Sequence, residues 1–188
     1  MRDRLRSLAI AAVLCVSATQ AIATNEPPEK FDPHGEAHSR GRGHPHGGGH
    51  SHDGIACSVS AVSLSFGNYN PLRARHDDTT GNIAVTCRGR PGSRMTYSIA
   101  LNAGGSGTFA QRRMRSGSAG TLNYNIYASA GRSLVWGDGS AGTHVVTDSF
   151  RLHSPRVTRN YAVYGRIFGG QNPRVGVYTD SIVVTLDF

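Results

Sequence analysis

The sequence predicts an all-β, immunoglobulin-like sandwich, and three observations carry the prediction. Apolar residues alternate with period two in run after run beyond Gly54, turn-forming Gly, Pro and Asn separate the runs, and no amphipathic helical pattern of useful length intervenes. Seven or so strands in roughly 135 residues, joined by short turns, fit two packed sheets, with a closed barrel as the alternative arrangement. A length of 188 residues with 17% charged residues favours one folded domain and excludes wholesale disorder.

The chain starts with Arg2, Arg4 and Arg6, then an apolar run from Leu8 to Val16, then small residues at Ala21 and Ala23 around Ile22. This is the layout of a cleavable secretory signal over residues 1–23. The run is well short of the ~20 residues that span a bilayer, so stable membrane insertion is not expected. Removal of 1–23 takes away three arginines and one aspartate, and the formal charge falls from +8 to +6. Leu14 ahead of Cys15 is larger than the small residue expected before a lipidated cysteine.

Residues 24–53 change texture to Pro, Gly, Ser and His with almost nothing apolar beyond Phe31, and such a stretch reads as a disordered tether because it cannot bury enough surface to offset its ordering entropy. It holds His34, His38, His44, His46, His50 and His52, a flexible tract able to chelate Zn, Cu or Ni weakly. The spacing follows no fixed metal-site pattern, and a solvated spacer that gains charge below about pH 6.5 is the simpler reading.

The domain itself runs over 54–188. Val62, Leu64 and Phe66 are expected on one face of its first strand, Ile83, Val85 and Cys87 on the second, and Met95, Tyr97, Ile99 and Leu101 on the third. Leu122, Tyr124, Ile126 and Ala128 form a fourth. Segments Leu134 to Gly137 and Val145 to Leu152 follow, then Tyr161, Val163, Gly165 and Ile167, and finally Ile182, Val184, Leu186 and Phe188. Turns are expected at Asn70-Pro71, Pro91-Gly92, Gly104-Gly105, Asp138-Gly139 and Asn172-Pro173. Cys57 and Cys87 alone survive leader removal, and in an oxidising compartment they most simply pair. A loop of about 30 residues closed this way contributes about 3.5 kcal/mol in the chain-entropy picture.

Charge and motifs argue against other classes. Lys30 is the single lysine, and the arginines are scattered along the chain, Arg73, Arg75, Arg88, Arg90, Arg94, Arg112 and Arg113 among them, with no basic element of the kind that grips nucleic acid. There is no GxSxG, no HExxH and no phosphate-cradling loop before a helix. His76-Asp77-Asp78 is the nearest approach to a histidine–carboxylate arrangement and falls in a turn-rich linker. No enzymatic activity and no obligatory cofactor are expected.

In order and spacing, Cys57, Gly81-Asn82-Ile83-Ala84-Val85-Thr86-Cys87, Leu122-Asn123-Tyr124-Asn125-Ile126-Tyr127, Trp136-Gly137-Asp138-Gly139, Tyr164-Gly165-Arg166-Ile167, Gly170-Gln171 and Gly176-Val177-Tyr178-Thr179-Asp180 form one pattern. It resembles the spore coat protein U domain, found in secreted coat proteins and in subunits of archaic chaperone-usher pili, over about Ile55 to Phe188. The resemblance implies a sandwich one strand short, with an apolar groove along an open edge. It implies export through the periplasm to the cell surface, a fimbrium or the medium, a role in attachment or biofilm, and as partners a periplasmic chaperone, an outer-membrane usher and other pilus subunits. It also assigns Ile182, Val184, Leu186 and Phe188 to the contact with a partner's strand. Residues 24–56 lack the alternating apolar pattern of a donor strand, unlike the pilus pattern. A free-standing coat protein and a periplasmic metal-binding protein using the His tract are the alternative functions.

Overall fold

The computed structural model describes the backbone of residues 9–19 and the whole of residues 55–117 and 120–188. Its strands are β1 (Ala9–Thr19), β2 (Ala56–Val62), β3 (Leu64–Asn68), β4 (Asp77–Arg88), β5 (Arg94–Leu101), β6 (Arg112–Arg115), β7 (Thr121–Tyr127), β8 (Val146–Arg151), β9 (Arg156–Ile167) and β10 (Val177–Asp187). Among the described residues the helical pieces are two 3-10 turns, Gly104–Ser106 and Ser140–Gly142. The His tract, the rest of the 24–53 tether and the Ala21-Ile22-Ala23 cleavage signal lie outside the described residues.

Pairing runs β2-β4-β9-β7-β6 through one layer and β8-β5-β10-β1-β3 through the other, and the single pair Thr179↔Arg115 joins β10 to β6. Among the described residues the path is open, ending at β2, β3 and β8, so the strands form a sandwich and do not close into a barrel. Strands β4 and β9 pair without a slip from Asp77↔Ile167 to Arg88↔Arg156 and make the spine of the first layer. Their inward positions, Ile83, Val85, Cys87, Val163 and Ile167, meet Met95, Tyr97, Ile99, Leu101, Ile182, Val184 and Leu186 of the other layer in one buried core. Contacts between the layers include Cys57 Sγ to Met95 Sδ at 3.8 Å and the Phe66 and Tyr124 rings at 6.4 Å.

Cys57 and Cys87 stand directly opposite each other in β2 and β4 and are joined by a disulfide, buried on the core side. The bond cross-links the start of β2 to the end of β4. It therefore fixes the register of that layer's edge strand.

The first expected strand is in fact two. Strand β2 pairs with β4, then the chain breaks at Ser63 and β3 joins the opposite layer. Cys57, Val59 and Ala61 face inward on β2, so Val62 faces out and is 62% exposed, whereas Leu64 is fully buried. Alternation holds only within one strand, and a chain that changes sheets resets its parity. Leu134 to Gly137 makes isolated bridges, Tyr127↔Val135 and Trp136↔His144, in place of a strand. Ala128 and Phe188 sit just past the ends of β7 and β10, half-buried against the core.

Gly165 of β9 lies beneath β3. A Cβ there would stand 2.5 Å from Leu64 Cδ2 and 2.7 Å from Phe66 Cζ, so the strand crossing requires glycine. Gly165→Val is expected to cost about 1–3 kcal/mol of stability by overpacking. A urea midpoint unchanged from the parent protein would show that β3 does not pack there.

Candidate functional site: the cleft between strands β10 and β3

Strand β10 alternates Tyr178, Ile182, Val184 and Leu186 inward, all fully buried with β1 in place, against exposed or half-exposed Val177, Thr179, Ser181, Val183 and Thr185. One of its edges is covered by β5 from Val184↔Leu101 to Asp187↔Ser98. Ahead of that, Asn102 does the same work. Its backbone N–H donates to Val183 O at 3.1 Å, and its Oδ1 accepts from the Val183 N–H at 3.0 Å. Both main-chain groups of Val183 are spent on this side, so strand alternation turns those of Ile182 and Val184 to the other edge.

That other edge is paired along its whole length with β1, in eleven consecutive antiparallel pairs from Ala9↔Asp187 to Thr19↔Val177. The far side of β1 runs parallel to β3, with Val16↔Leu64, Ser17↔Ser65 and, after an irregularity, Thr19↔Asn68. The two walls, β10 and β3, are thus separated by one strand's width, twice the ~4.8 Å spacing of neighbours in a sheet. Without an occupant, main-chain donors and acceptors on both walls lose partners, and the apolar floor of Leu64, Ile182, Val184 and Leu186 opens to water. Ile182, Val184 and Leu186 lie on this wall, and Phe188 lies beyond its end.

A second set of contacts holds the β10 wall in place. Tyr124 O–H donates to Asp180 Oδ2 at 2.7 Å, and Asp180 Oδ1 accepts from the Gly105 and Ser181 N–H groups, each at 2.9 Å. Burial, reinforced by the adjacent carboxylate, pushes the Tyr124 hydroxyl pKa up, and the phenol stays a neutral donor. Behind it, Arg112 of β6 has 0% exposure. Its guanidinium donates to Asn102 O at 2.8 Å, Trp136 O at 2.7 Å and Asn125 Oδ1 at 2.7 Å. Burial pulls its pKa below the ordinary arginine value, and it remains a cation. Arg112 thus ties the Asn102 turn that serves β10 to Asn125 of β7 and to Trp136.

This cation is the site residue that sequence reasoning missed. By sequence Arg112 belongs with the scattered arginines, and no strand is expected at Arg112–Arg115, because an Arg–Met alternation does not register as an apolar face. Its one sequence signal is Met114, which is buried two positions on.

The other residues singled out by sequence are held by structural partners. His76 Nδ1 accepts from the Gly169 N–H at 3.0 Å, and its ring lies edge-on to Phe168 at 5.9 Å. Asp78 receives two hydrogen bonds from Arg166, at 2.8 and 2.9 Å, with Arg132 at 3.3 Å. The Arg166 hydrogen bond lowers the Asp78 pKa below 3.8. Among the described residues no group of three or more His, Cys, Asp or Glu side chains is placed to hold a metal ion, and no helix is long and apolar enough to cross a membrane.

Two outcomes test these assignments. Arg112→Met removes the guanidinium donor from three acceptors, the contacts to Trp136 O and Asn125 Oδ1 being buried and that to Asn102 O part-buried, and is expected to cost about 2–3 kcal/mol, read from chemical denaturation; a loss under about 0.5 kcal/mol would contradict the assignment. Since the folded-state pKa of Asp78 is lowered, its contribution is present above pH ~3.8 and fades as pH falls through the folded value. The stability gap between the parent protein and Asp78→Asn should therefore be larger at pH 7 than at pH 2.5, and equal gaps would rule out the ion pair as its source.

The sequence profile of the Spore Coat Protein U domain matches residues 51–185. Protein U of Myxococcus xanthus is 32% identical over 147 residues, an alignment covering 72% of this chain and 79% of that protein. The profile match spans the sandwich, including the disulfide-linked edge and most of β10. The chain belongs to the Spore Coat Protein U domain family, whose members are exported structural coat and surface proteins.

Proposed function

We propose that this protein is a non-catalytic subunit of a surface assembly, exported by its N-terminal leader and completed by a strand received from another molecule. The observation that carries the reading is the cleft. Within residues 55–188 the full outer edge of β10 and the edge of β3 pair with neither each other nor any other strand, and both are served by the segment read as a leader. Removal of residues 1–23 vacates that position. A donor strand bringing four or five apolar side chains would contribute on the order of 10 kcal/mol before ordering costs, enough to decide whether the subunit survives.

Assembly then follows the physics of strand addition. Main-chain bonds to β10 and β3 supply affinity, and alternate apolar side chains over Ile182, Val184 and Leu186 set the register. The partners on this reading are a periplasmic chaperone, an outer-membrane usher and neighbouring pilus subunits, and the product serves attachment or biofilm. Nucleic acid is not a partner. A second reading, a free-standing secreted or coat protein, is favoured by one observation, namely that the chain carries in β1 a segment able to complete its own sheet.

Val184→Asp combined with Leu186→Asp places two charges on the cleft floor. The double variant is expected to lower recovery of a chaperone complex from the periplasm at least tenfold and to clear the subunit by proteolysis. Ser60→Asp on the exposed face of β2 should leave both unchanged. Soluble accumulation of the double variant at parental yield with no partner bound would overturn strand donation and favour the free-standing protein.

A further inference from the structure

We propose that residues 9–19, while still attached, are the first occupant of the cleft, so that the leader closes the domain in cis and its removal is the event that opens the site. The inference rests on the cleft reading above and adds when the cleft becomes available. Its basis is the eleven-pair ladder with β10, which has no slip, together with the parallel contact to β3 on the opposite edge. Both walls are engaged at once, as a strand belonging to the sheet would engage them.

The sequence of the segment fits that place. Ile10, Ala12 and Leu14 are in register with Leu186, Val184 and Ile182, and Val16 is in register with Leu64 on the other wall. The alternate positions end in Ser17 and Thr19. A leader needs a continuous apolar run for export, whereas a strand in this cleft needs apolar residues at every second position, and residues 9–19 meet both demands. The following stretch from 24 to 53 meets neither, so it does not compete for the cleft.

The connection permits closure within one molecule. Residues 20–55 separate Thr19 from Ala56, a contour of roughly 120 Å when extended. A linker of this kind gives a tethered segment an effective concentration on the order of millimolar, which favours the chain's own strand over one from a dilute second copy. A chain with its leader attached is therefore closed to a partner's strand, and cleavage converts it to a form that must be captured.

The test uses the full chain with Ala21→Arg and Ala23→Arg to block processing, refolded with the disulfide formed. Hydrogen exchange is followed in residues 177–187, with residues 156–167 of β9 as the internal control of folding. Residues 177–187 are expected to be protected in this chain. With Leu14→Asp and Val16→Asp added, they should exchange at least tenfold faster while 156–167 stays protected. A synthetic peptide of residues 9–19 should restore the protection. Leu14→Pro, which breaks the ladder without adding charge, should behave like the Asp pair.

Fast exchange in the chain with an unaltered leader segment would overturn closure in cis and leave the open cleft standing. Protection in every variant would overturn both, since β10 would then be paired within residues 55–188. Protection that rises with protein concentration, accompanied by dimers in light scattering, would show donation between copies and also overturn closure in cis.

Discussion

The outer edge of β10 is the constraint on which the rest of the molecule depends. A strand in the middle of a layer that loses one neighbour exposes a long row of main-chain donors and acceptors together with part of the apolar face beneath it, which makes that edge a template for another strand. The fold settles one edge internally, with β5 over the last four residues and Asn102 at Val183. The other edge is left to a segment that precedes the domain. Cleft, buried cation and disulfide each bear on this arrangement.

The two layers contribute differently. The β2-β4-β9-β7-β6 layer is self-sufficient, with β4 and β9 in register over their whole length and β2 held by the Cys57–Cys87 bond. In the other layer β10 and β3 are joined only through β1. Its stability is borrowed from the first through Phe66 against Tyr124, Gly165 beneath Leu64, and Tyr124 to Asp180. Arg112 extends this support by holding the Asn102 turn, so a buried cation on β6 keeps the β10 wall in place even though it does not line the cleft. Hydrogen bonds to carbonyl oxygens suit arginine here, since its planar fork reaches three acceptors from one buried position.

The apolar run near the N-terminus has the composition expected of a leader and, in the structure, the pairing of a sheet strand. Export selects a short stretch of apolar residues without regard to alternation, while the sheet selects alternate positions and a length near eleven residues. The His, Gly and Pro stretch that follows satisfies neither role, and this explains why the segment paired with β10 comes from before the tether and not from within it. The Spore Coat Protein U domain profile covers β2 to β9 and most of β10 and leaves out β1.

Within the strands, the sequence by itself determined nearly everything that repeats with period two. The inward sets on β4, β5, β7 and β10 were legible because burial on one face leaves a local pattern, and the Cys57–Cys87 pairing because only two cysteines follow residue 23. Tertiary structure alone decided the rest. Val62 faces water because the chain changes layers at Ser63, a decision made by which strand β3 meets and not by local pattern. Arg112 is buried because three acceptors from distant segments converge on it, and no single stretch of sequence records that convergence. The segment 9–19 reads as a leader from its composition, and only the register against β10 and β3 shows that it also fits the sheet. Side-chain pattern is a local property, whereas main-chain pairing across a sheet edge is settled by whatever strand arrives there.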